Sequence, residues 1–158
     1  MTTLTIRPYE HSDHAQVMAL HELAMREVGA WLGPGPWDDD LNDIPGHYPA
    51  RGGLFLVGVL DGQIVAMGAF RREGETCAEI KRMRVHPELQ GRGFGQQMYA
   101  KLENEARRMG YTRFILETGL KQLAAQHVYR KHGFVETHRG TVGHGETCIW
   151  FAKDLTPE

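Results

Sequence analysis

Three glycines within five residues, in the segment Gln90-Gly91-Arg92-Gly93-Phe94-Gly95, separate a β-rich run from a long amphipathic run. Glycine adopts positive φ angles at little cost, so this spacing predicts a tight turn from a strand into a helix. The first N–H groups of such a helix have no partner within the helix, and the helix dipole adds partial positive charge. The turn is therefore a candidate phosphate site, to which Arg92 adds a fixed charge.

Other interpretations of this glycine loop stay open on the loop alone. A dinucleotide-binding fingerprint needs the spacing GxGxxG, whereas the glycines here are spaced GxGxG, which disfavours an oxidoreductase of that class. A P-loop needs GxxxxGK followed by Ser or Thr, and the sequence lacks this pattern. A strand-to-helix turn that binds no ligand is the remaining alternative.

Hydrophobic periodicity predicts an α+β fold with a mixed sheet. The β-rich runs Leu54–Leu60 and Gln63–Arg71 are joined by Asp61-Gly62, a pair suited to a two-residue type I′ turn. Residues 29–53 form a long connection with room for a short helix near 38–44. Further strands are predicted at 4–7, 77–85, 113–118, 134–138 and 147–153, and further helices at 13–28 and 122–132. The helix after the glycine loop is predicted to bury a stripe formed by Met98, Leu102, Ala106 and Met109.

Length and composition exclude several classes of protein. The 158 residues suit a single domain, 1–158, and the net charge of −2 argues against a general nucleic-acid binder. Two cysteines are too few for a disulfide scaffold and favour free thiols in a reducing compartment. No signal-peptide pattern and no apolar run of membrane-spanning length is found, so we expect a cytoplasmic protein without a membrane partner.

Two segments in the expected order resemble motifs of one family. The stretch from Glu79 to Val85 followed by Gln90-Gly91-Arg92-Gly93-Phe94-Gly95 closely resembles motif A of the GNAT superfamily of acetyl-coenzyme A dependent N-acetyltransferases. The stretch 122–134, with Tyr129 and Gly133-Phe134, looks like the family's motif B. The resemblance implies a mostly antiparallel sheet of about seven strands, splayed between strands 4 and 5 and flanked by helices. It assigns residues 29–53 to a variable acceptor region, 79–110 to the coenzyme motif and 113–134 to the second motif.

The resemblance also implies a set of contacts with acetyl-coenzyme A. The backbone of strand 4 would pair with the pantetheine arm as an added strand, and the N–H groups of 91–96 would hold the pyrophosphate. Ile80, Met83 and Val85 do not fit one strict period of two, which indicates a β-bulge near Lys81-Arg82. Gln122 stands where many members carry Asn. The expected cofactor-binding residues are Met83, Arg84, Val85, Gln90, Gly91, Arg92, Gly93, Phe94, Gly95, Gln96 and Gln122.

Tyr129 and Glu79 are the candidate catalytic residues. By motif B, Tyr129 matches the family's tyrosine that faces the coenzyme sulfur, where it would protonate the leaving thiolate. Glu79 would act as the base for the amine, directly or through a water, with Glu117 as the alternative. The competing interpretations are a core tyrosine on an amphipathic helix and an exposed glutamate paired with Lys81 or Arg82.

The acceptor side is predicted from residues 29–53. Trp31, Trp37 and Tyr48 are candidates for its walls. From Trp37 to Asp43 there are four aspartates and no basic residue, and Asp38 and its neighbours could attract a cationic amine. A solvated loop whose aromatic residues pack on the core is the alternative. His11 and His14 lack a third ligand, so no metal is expected.

These features predict an enzyme that transfers acetyl from acetyl-coenzyme A to a primary amine. A small metabolite or drug-like amine is the expected acceptor, attacked directly through a tetrahedral intermediate. A protein or peptide N-terminus or a lysine is the alternative acceptor, and a non-catalytic acyl-coenzyme A sensor is the alternative function. A homodimer is compatible with the family resemblance.

Overall fold

The predicted strands pair into one sheet in a computed structural model that describes residues 3–143 and 145–155. Within these residues the sheet has seven strands in the order β1-β2-β3-β4-β5-β7-β6. All neighbours are antiparallel except β4 and β5. The strands are β1 (Thr5–Pro8), β2 (Leu54–Leu60), β3 (Gln63–Arg72), β4 (Cys77–Val85), β5 (Arg113–Gly119), β6 (Val135–Thr141) and β7 (Thr147–Asp154). The predicted sheet architecture is thus confirmed.

Helices cover both faces of the sheet. The α-helices are α1 (His14–Glu27), α2 (Ile44–His47), α3 (Phe94–Arg108) and α4 (Leu123–Lys131), and short 3-10 helices lie at His11–Asp13, Pro36–Asn42, Pro49–Arg51 and Pro87–Leu89. One core joins α3 and α4 to the sheet, with Met98, Leu102 and Phe114 fully buried. The other joins α1 and the segment 41–48 to the opposite face. None of the helices in the described ranges is long and apolar enough to cross a membrane.

The hairpin and helix predictions hold with one exception. Asp61 and Gly62 both have positive φ, 52° and 79°, as a type I′ turn requires. The prediction that the apolar stripe on α3 is buried is wrong for Met109, which is 45% exposed. The helix ends at Arg108, and the chain turns so that Tyr111, whose N–H bonds the Ala106 carbonyl, takes the buried place instead.

The predicted bulge lies in β4. Ala69 pairs with Lys81 and Met67 with Arg84, so Gly68 alone faces two residues, Arg82 and Met83. Arg82 has a φ of 60°, in the left-handed region that residues other than glycine seldom adopt. The extra residue keeps Ile80 and Met83 on the same face of the sheet, which accounts for the broken period.

The two parallel strands at the centre of the sheet separate early. β4 pairs with β5 only from Cys77 to Glu79, opposite Arg113 to Ile115. Beyond Glu79, neither strand is paired with the other in the described part of the chain. The gap opens toward the glycine loop and α4, and every candidate catalytic residue lies beside it.

Candidate active site

Two adjoining cavities pass through the gap between β4 and β5. The larger, of about 510 Å³, is lined by the glycine loop and α4, and the smaller, of about 200 Å³, by the ends of β4 and β5 and residues 30–38. Six residues line both: Met25, Met83, Arg84, Gln122, Ala125 and Tyr129. A long ligand that follows the larger cavity therefore ends at the smaller one.

The glycine loop presents backbone to the larger cavity. Gly91 and Gly93 both have a φ of 83°, and no atom lies within 4 Å of where a side chain would begin. Gly93 is the N-cap of α3 and provides no side-chain cap, so the first N–H groups of the helix, which belong to residues that line the cavity, are left without a side-chain partner. The loop and helix residues that line this cavity are Gln90, Gly91, Gly93, Phe94, Gly95 and Gln96. This arrangement fits a phosphate group. Arg92 is exposed and lines neither cavity.

The edge of β4 provides the second wall. Met83, Arg84 and Val85 line the larger cavity, while Arg84 and Val85 keep their partners Met67 and Ala66 on β3. The opposite edge, which would face β5, is unpaired here within the described residues. An open strand edge can hydrogen-bond an extended ligand that carries amide groups.

Tyr129 stands where the two cavities meet. It lies on α4, is 5% exposed and packs edge-on against Phe134 with ring centroids 5.5 Å apart. Burial raises the pKa of its hydroxyl well above the ordinary value, and the positive charge of Arg84 opposes this only in part. The hydroxyl is therefore protonated at neutral pH and positioned as a proton donor.

Glu79 occupies the last paired position before the gap. It lines the smaller cavity, and one of its carboxylate oxygens lies 3.5 Å from Nη2 of Arg71. Burial raises the pKa of Glu79, an effect that Lys81 and Arg71 oppose and the charge of Glu117 increases. Glu117 is exposed on β5 and lines the same cavity. The predicted base and its alternative thus face one space.

Comparison with known proteins identifies the family. The model of the acetyltransferase (GNAT) family matches residues 17–134. This chain belongs to the GNAT family. It is 38% identical over 90 residues to IAA acetyltransferase of Azospirillum brasilense, covering 56% of this chain and 58% of the relative. N-acetylaspartate synthetase of Xenopus tropicalis is 32% identical over 107 residues, covering 66% of this chain and 39% of the relative.

Solved structures share the fold of this GNAT protein. A GNAT acetyltransferase from Staphylococcus aureus Mu50 superposes with a TM-score of 0.87 at 19% identity, over 98% of this chain and 100% of the other. A Salmonella typhimurium acetyltransferase solved with its cofactor acetyl-CoA gives a TM-score of 0.78 at 21% identity, over 98% and 95%. At these identities the likeness establishes the fold.

The acceptor region of this GNAT protein is tied to β4 by Arg82. Its Nε and Nη2 donate to the two carboxylate oxygens of Asp40 at 3.0 and 2.6 Å, and its Nη1 donates to Asp38 at 3.2 Å. The Trp37 carbonyl accepts a further bond from Nη2 at 2.7 Å. Asp38 also contacts Nε2 of the buried His21 at 3.0 Å. Asp38 and Asp40 are therefore both ion-paired within the protein, and Arg82 is the cation that they share.

Two sequence predictions about this region are corrected. Asp38 lines the smaller cavity but is ion-paired, and Asp40 is buried, because Arg82 lies closer to both than an incoming amine could. Tyr48 does not line either cavity. It is fully buried against Phe55, and its hydroxyl donates to Asp40 at 2.5 Å. Its ring fills the second core, so the prediction of a cavity wall is wrong for Tyr48.

Trp31 and Trp37 do line the smaller cavity. The Trp31 ring lies edge-on to His21 with centroids 6.0 Å apart, and the Arg26 guanidinium lies 5.6 Å from its centroid. The indole N–H of Trp37 donates to the Gly33 carbonyl at 2.9 Å, which holds the glycine- and proline-rich turn before it. The two tryptophans give this cavity aromatic walls.

Two glutamines support the end of β5. Gln122 lines both cavities and gives α4 no side-chain cap. Gln126, which the sequence did not single out, is buried and donates through Nε2 to the carbonyls of Gly119 and Leu120 at 3.0 and 3.2 Å. It holds the turn that places Tyr129. The only sequence signal for it was a polar residue on the apolar face of α4.

Cys148 lies in the smaller cavity as a neutral thiol. Cys148 is buried and lines the smaller cavity, and burial raises the pKa of its thiol to about 11, so it is not a thiolate at neutral pH. In residues 3–143 and 145–155 there is no group of three His, Cys, Asp or Glu side chains that could hold a metal ion.

The ion pair between Arg82 and Asp40 predicts how the stability of the protein depends on acid pH. Burial alone would raise the pKa of Asp40, but the hydrogen bonds and charge of Arg82 outweigh burial and lower it from 3.8 to about 2. A depressed folded-state pKa stabilises the protein above the unfolded value, and this stability is lost as pH falls from 3.8 through about 2. We expect Asp40→Asn to lower the free energy of unfolding at pH 7 by about 2 kcal/mol.

Urea denaturation of the wild-type protein and of Asp40→Asn between pH 7 and pH 2 tests this. The difference between their free energies of unfolding should become smaller below pH 4. Asp39→Asn is the matched control, because Asp39 is the exposed neighbour and its loss should change stability by no more than about 0.5 kcal/mol. Equal effects of the two substitutions, or a difference in stability that does not change with pH, would contradict a stabilising ion pair between Arg82 and Asp40.

Proposed function

We propose that this GNAT protein, as one acetyltransferase domain over residues 1–158, transfers an acetyl group from acetyl-CoA to a primary amine. One observation carries the proposal: the channel between β4 and β5 joins the glycine loop to a cavity that holds both Glu79 and Tyr129. A chain that only bound acyl-CoA would not need a carboxylate and a protonated phenol on either side of the reacting position. Two free cysteines support a cytoplasmic location.

The residues along the channel fit acetyl-CoA, which supplies the activated acetyl thioester. The N–H groups of 91–96 would bind the pyrophosphate, as a helix N-terminus does. The free edge of β4 at Met83, Arg84 and Val85 would hydrogen-bond the pantetheine amides. Gln122, at the junction of the cavities, offers an amide in the place of the family's usual Asn.

Each chemical requirement of acetyl transfer has a candidate group. An alkyl amine has a pKa near ~10.4, so Glu79 would accept its proton, aided by its own raised pKa. A backbone N–H near Met83 or Arg84 would stabilise the oxyanion formed on the acetyl carbonyl. Tyr129 would donate its proton to the departing thiolate.

A small amine is the proposed acceptor. The acceptor cavity of about 200 Å³ has aromatic walls and suits a small molecule. The names of two relatives, N-acetylaspartate synthetase and IAA acetyltransferase, point to small-molecule chemistry, although this chain spans 39% and 58% of their lengths. A peptide N-terminus is the second candidate, because an Escherichia coli ribosomal-protein-S18-alanine N-acetyltransferase shares the fold with a TM-score of 0.78.

The decisive test of the activity is acetyl-CoA binding followed by turnover. Calorimetry should show binding of acetyl-CoA, and a panel of small amines and peptides should release free coenzyme thiol. Binding without thiol release from any amine would favour the sensor interpretation. No binding at all would refute both.

Replacing the proposed acid tests its role. Tyr129→Phe removes the donated proton and keeps the ring, so kcat should fall about 100-fold while the Kd for acetyl-CoA changes little. Tyr9→Phe is the control, because Tyr9 packs on Phe55 away from both cavities and should retain full activity. An unchanged kcat in Tyr129→Phe would reject the acid role.

The choice of base is tested by a pair of glutamine variants. Glu79→Gln should lower kcat/KM about 100-fold at pH 7. At pH 10 the decrease in kcat/KM should be smaller, because more of the amine is neutral there without a base. Glu117→Gln should lower kcat/KM much less than Glu79→Gln does, because Glu117 is exposed and lies further along β5. The reverse ranking would assign the base to Glu117. Equal and small losses would mean that neither carboxylate is the base.

A further inference from the structure

Arg84 is a cation in the cleft without a carboxylate partner. Its Nη1 donates to the Met83 carbonyl at 2.8 Å, and its Nε is buried without a hydrogen-bond partner. Among the described residues no carboxylate oxygen lies within 4.0 Å of it, whereas Arg82, two positions earlier, binds two aspartates. Arg84 therefore has hydrogen-bonding capacity that the described protein does not use.

Arg84 keeps its charge, and no carboxylate of the described residues lies in ion-pair contact with it. Burial lowers its pKa, but only to about 10, so the guanidinium is protonated at neutral pH. His21 close by is neutral, because burial and then the charge of Arg84 lower its pKa to about 4. Asp38 is the carboxylate whose charge acts on Arg84, and it is shared between Arg82 and His21. The buried Nε of Arg84 has no acceptor among the described residues, and leaving a charged donor unsatisfied is costly, which favours a ligand that accepts from it.

Arg84 lines both cavities, and its charged neighbours Arg82 and Asp38 lie on the acceptor side of the channel. Its electrostatic neighbours include His21 and Asp38, which line only the smaller cavity. The coenzyme phosphates have their own candidate site at the glycine loop. The same cavity is lined by the carboxylates of Glu79 on β4 and Glu117 on β5, and the charge of Lys81 acts on Glu79. The cavity thus offers carboxylates suited to an amine and, at Arg84, a guanidinium suited to a carboxylate.

We propose that Arg84 binds a carboxylate of the acceptor, so that the substrates are amino acids or similar small amines that carry a carboxylate. A guanidinium matches a carboxylate with two parallel hydrogen bonds, and the free Nε provides one of the donors. A peptide N-terminus has its α-carboxyl in an amide bond and would leave Arg84 unpaired. This inference rests on the proposed acetyl transfer and specifies its substrate class.

Matched substrate pairs test the proposal. L-leucine with isopentylamine, L-phenylalanine with phenethylamine, and β-alanine with ethylamine differ only in the carboxylate. We expect kcat/KM for the preferred pair to be about 10- to 100-fold higher for the carboxylate member, as one charged hydrogen-bonded contact provides. In Arg84→Met this ratio should fall to about 1, and Arg84→Lys should retain part of it because it keeps the charge without the planar fork.

Controls separate this role from folding and from coenzyme binding. Arg108→Met removes an exposed arginine at the end of α3 and should leave the ratio unchanged. The urea midpoint and the Kd for CoA should change little in Arg84→Met. The proposal is overturned if the wild-type protein does not prefer the carboxylate member, if the preference survives in Arg84→Met, or if that variant loses CoA affinity instead.

A binding measurement distinguishes failure of this inference from failure of the proposed activity. Ligand-observed NMR with the same pairs, in the presence of CoA, needs no turnover. Tighter binding of the carboxylate member, abolished in Arg84→Met, would establish the Arg84 site even if no thiol were released, and only the activity would then fail. Turnover of amines with no carboxylate preference in either measurement would leave the activity standing and refute the Arg84 site.

Discussion

The ion pairs of Arg82 hold the two halves of the cleft together. A left-handed backbone at a residue other than glycine costs roughly 1–3 kcal/mol, and here the φ of 60° is stabilised by bonds to Asp38, Asp40 and the Trp37 carbonyl. These bonds attach the 3-10 helix Pro36–Asn42 to β4 across 42 to 45 residues of sequence. The bulge begins three residues after the last position at which β4 pairs with β5. The ion pairs of Arg82 therefore join the segment 37–40, of which Trp37 and Asp38 line the acceptor cavity, to the part of β4 that has a free edge.

The net charge of −2 conceals how charge is arranged around this cleft. Arg82 and Arg84 are two residues apart, yet Arg82 is neutralised by buried aspartates while Arg84 is not. Glu79 lies at the far end of the same strand with its pKa raised by burial. The strand thus carries a paired cation that shapes the site, an unpaired cation available to a ligand, and a carboxylate suited to accept a proton.

Much of the fold was predictable because it follows from local pattern. The type I′ turn at Asp61-Gly62, the bulge in β4 and the positions of the strands follow from alternation and turn chemistry, although β6 ends at Thr141, three residues beyond the predicted limit. The prediction that Met109 is buried was wrong, because helical spacing cannot show where a helix ends against the sheet. Tyr129 and Glu79 both line the smaller cavity, and their catalytic roles stay predictions. Tyr48 packs in the second core and lines neither cavity, and Asp38, which lines the smaller one, is ion-paired with Arg82, 44 residues away in the sequence.

The amino-acid sequence by itself determined the glycine turn, the order of elements and the family to which they belong. These features depend on residues close together in the chain, whose backbone preferences act locally. The tertiary structure decided which charged groups remain available for chemistry. Arg84 and Arg82 are indistinguishable in the sequence, but only Arg82 lies against Asp38 and Asp40 once α1 and the acceptor segment pack on β4. Charge pairing depends on distance in space, and that distance is set by the fold.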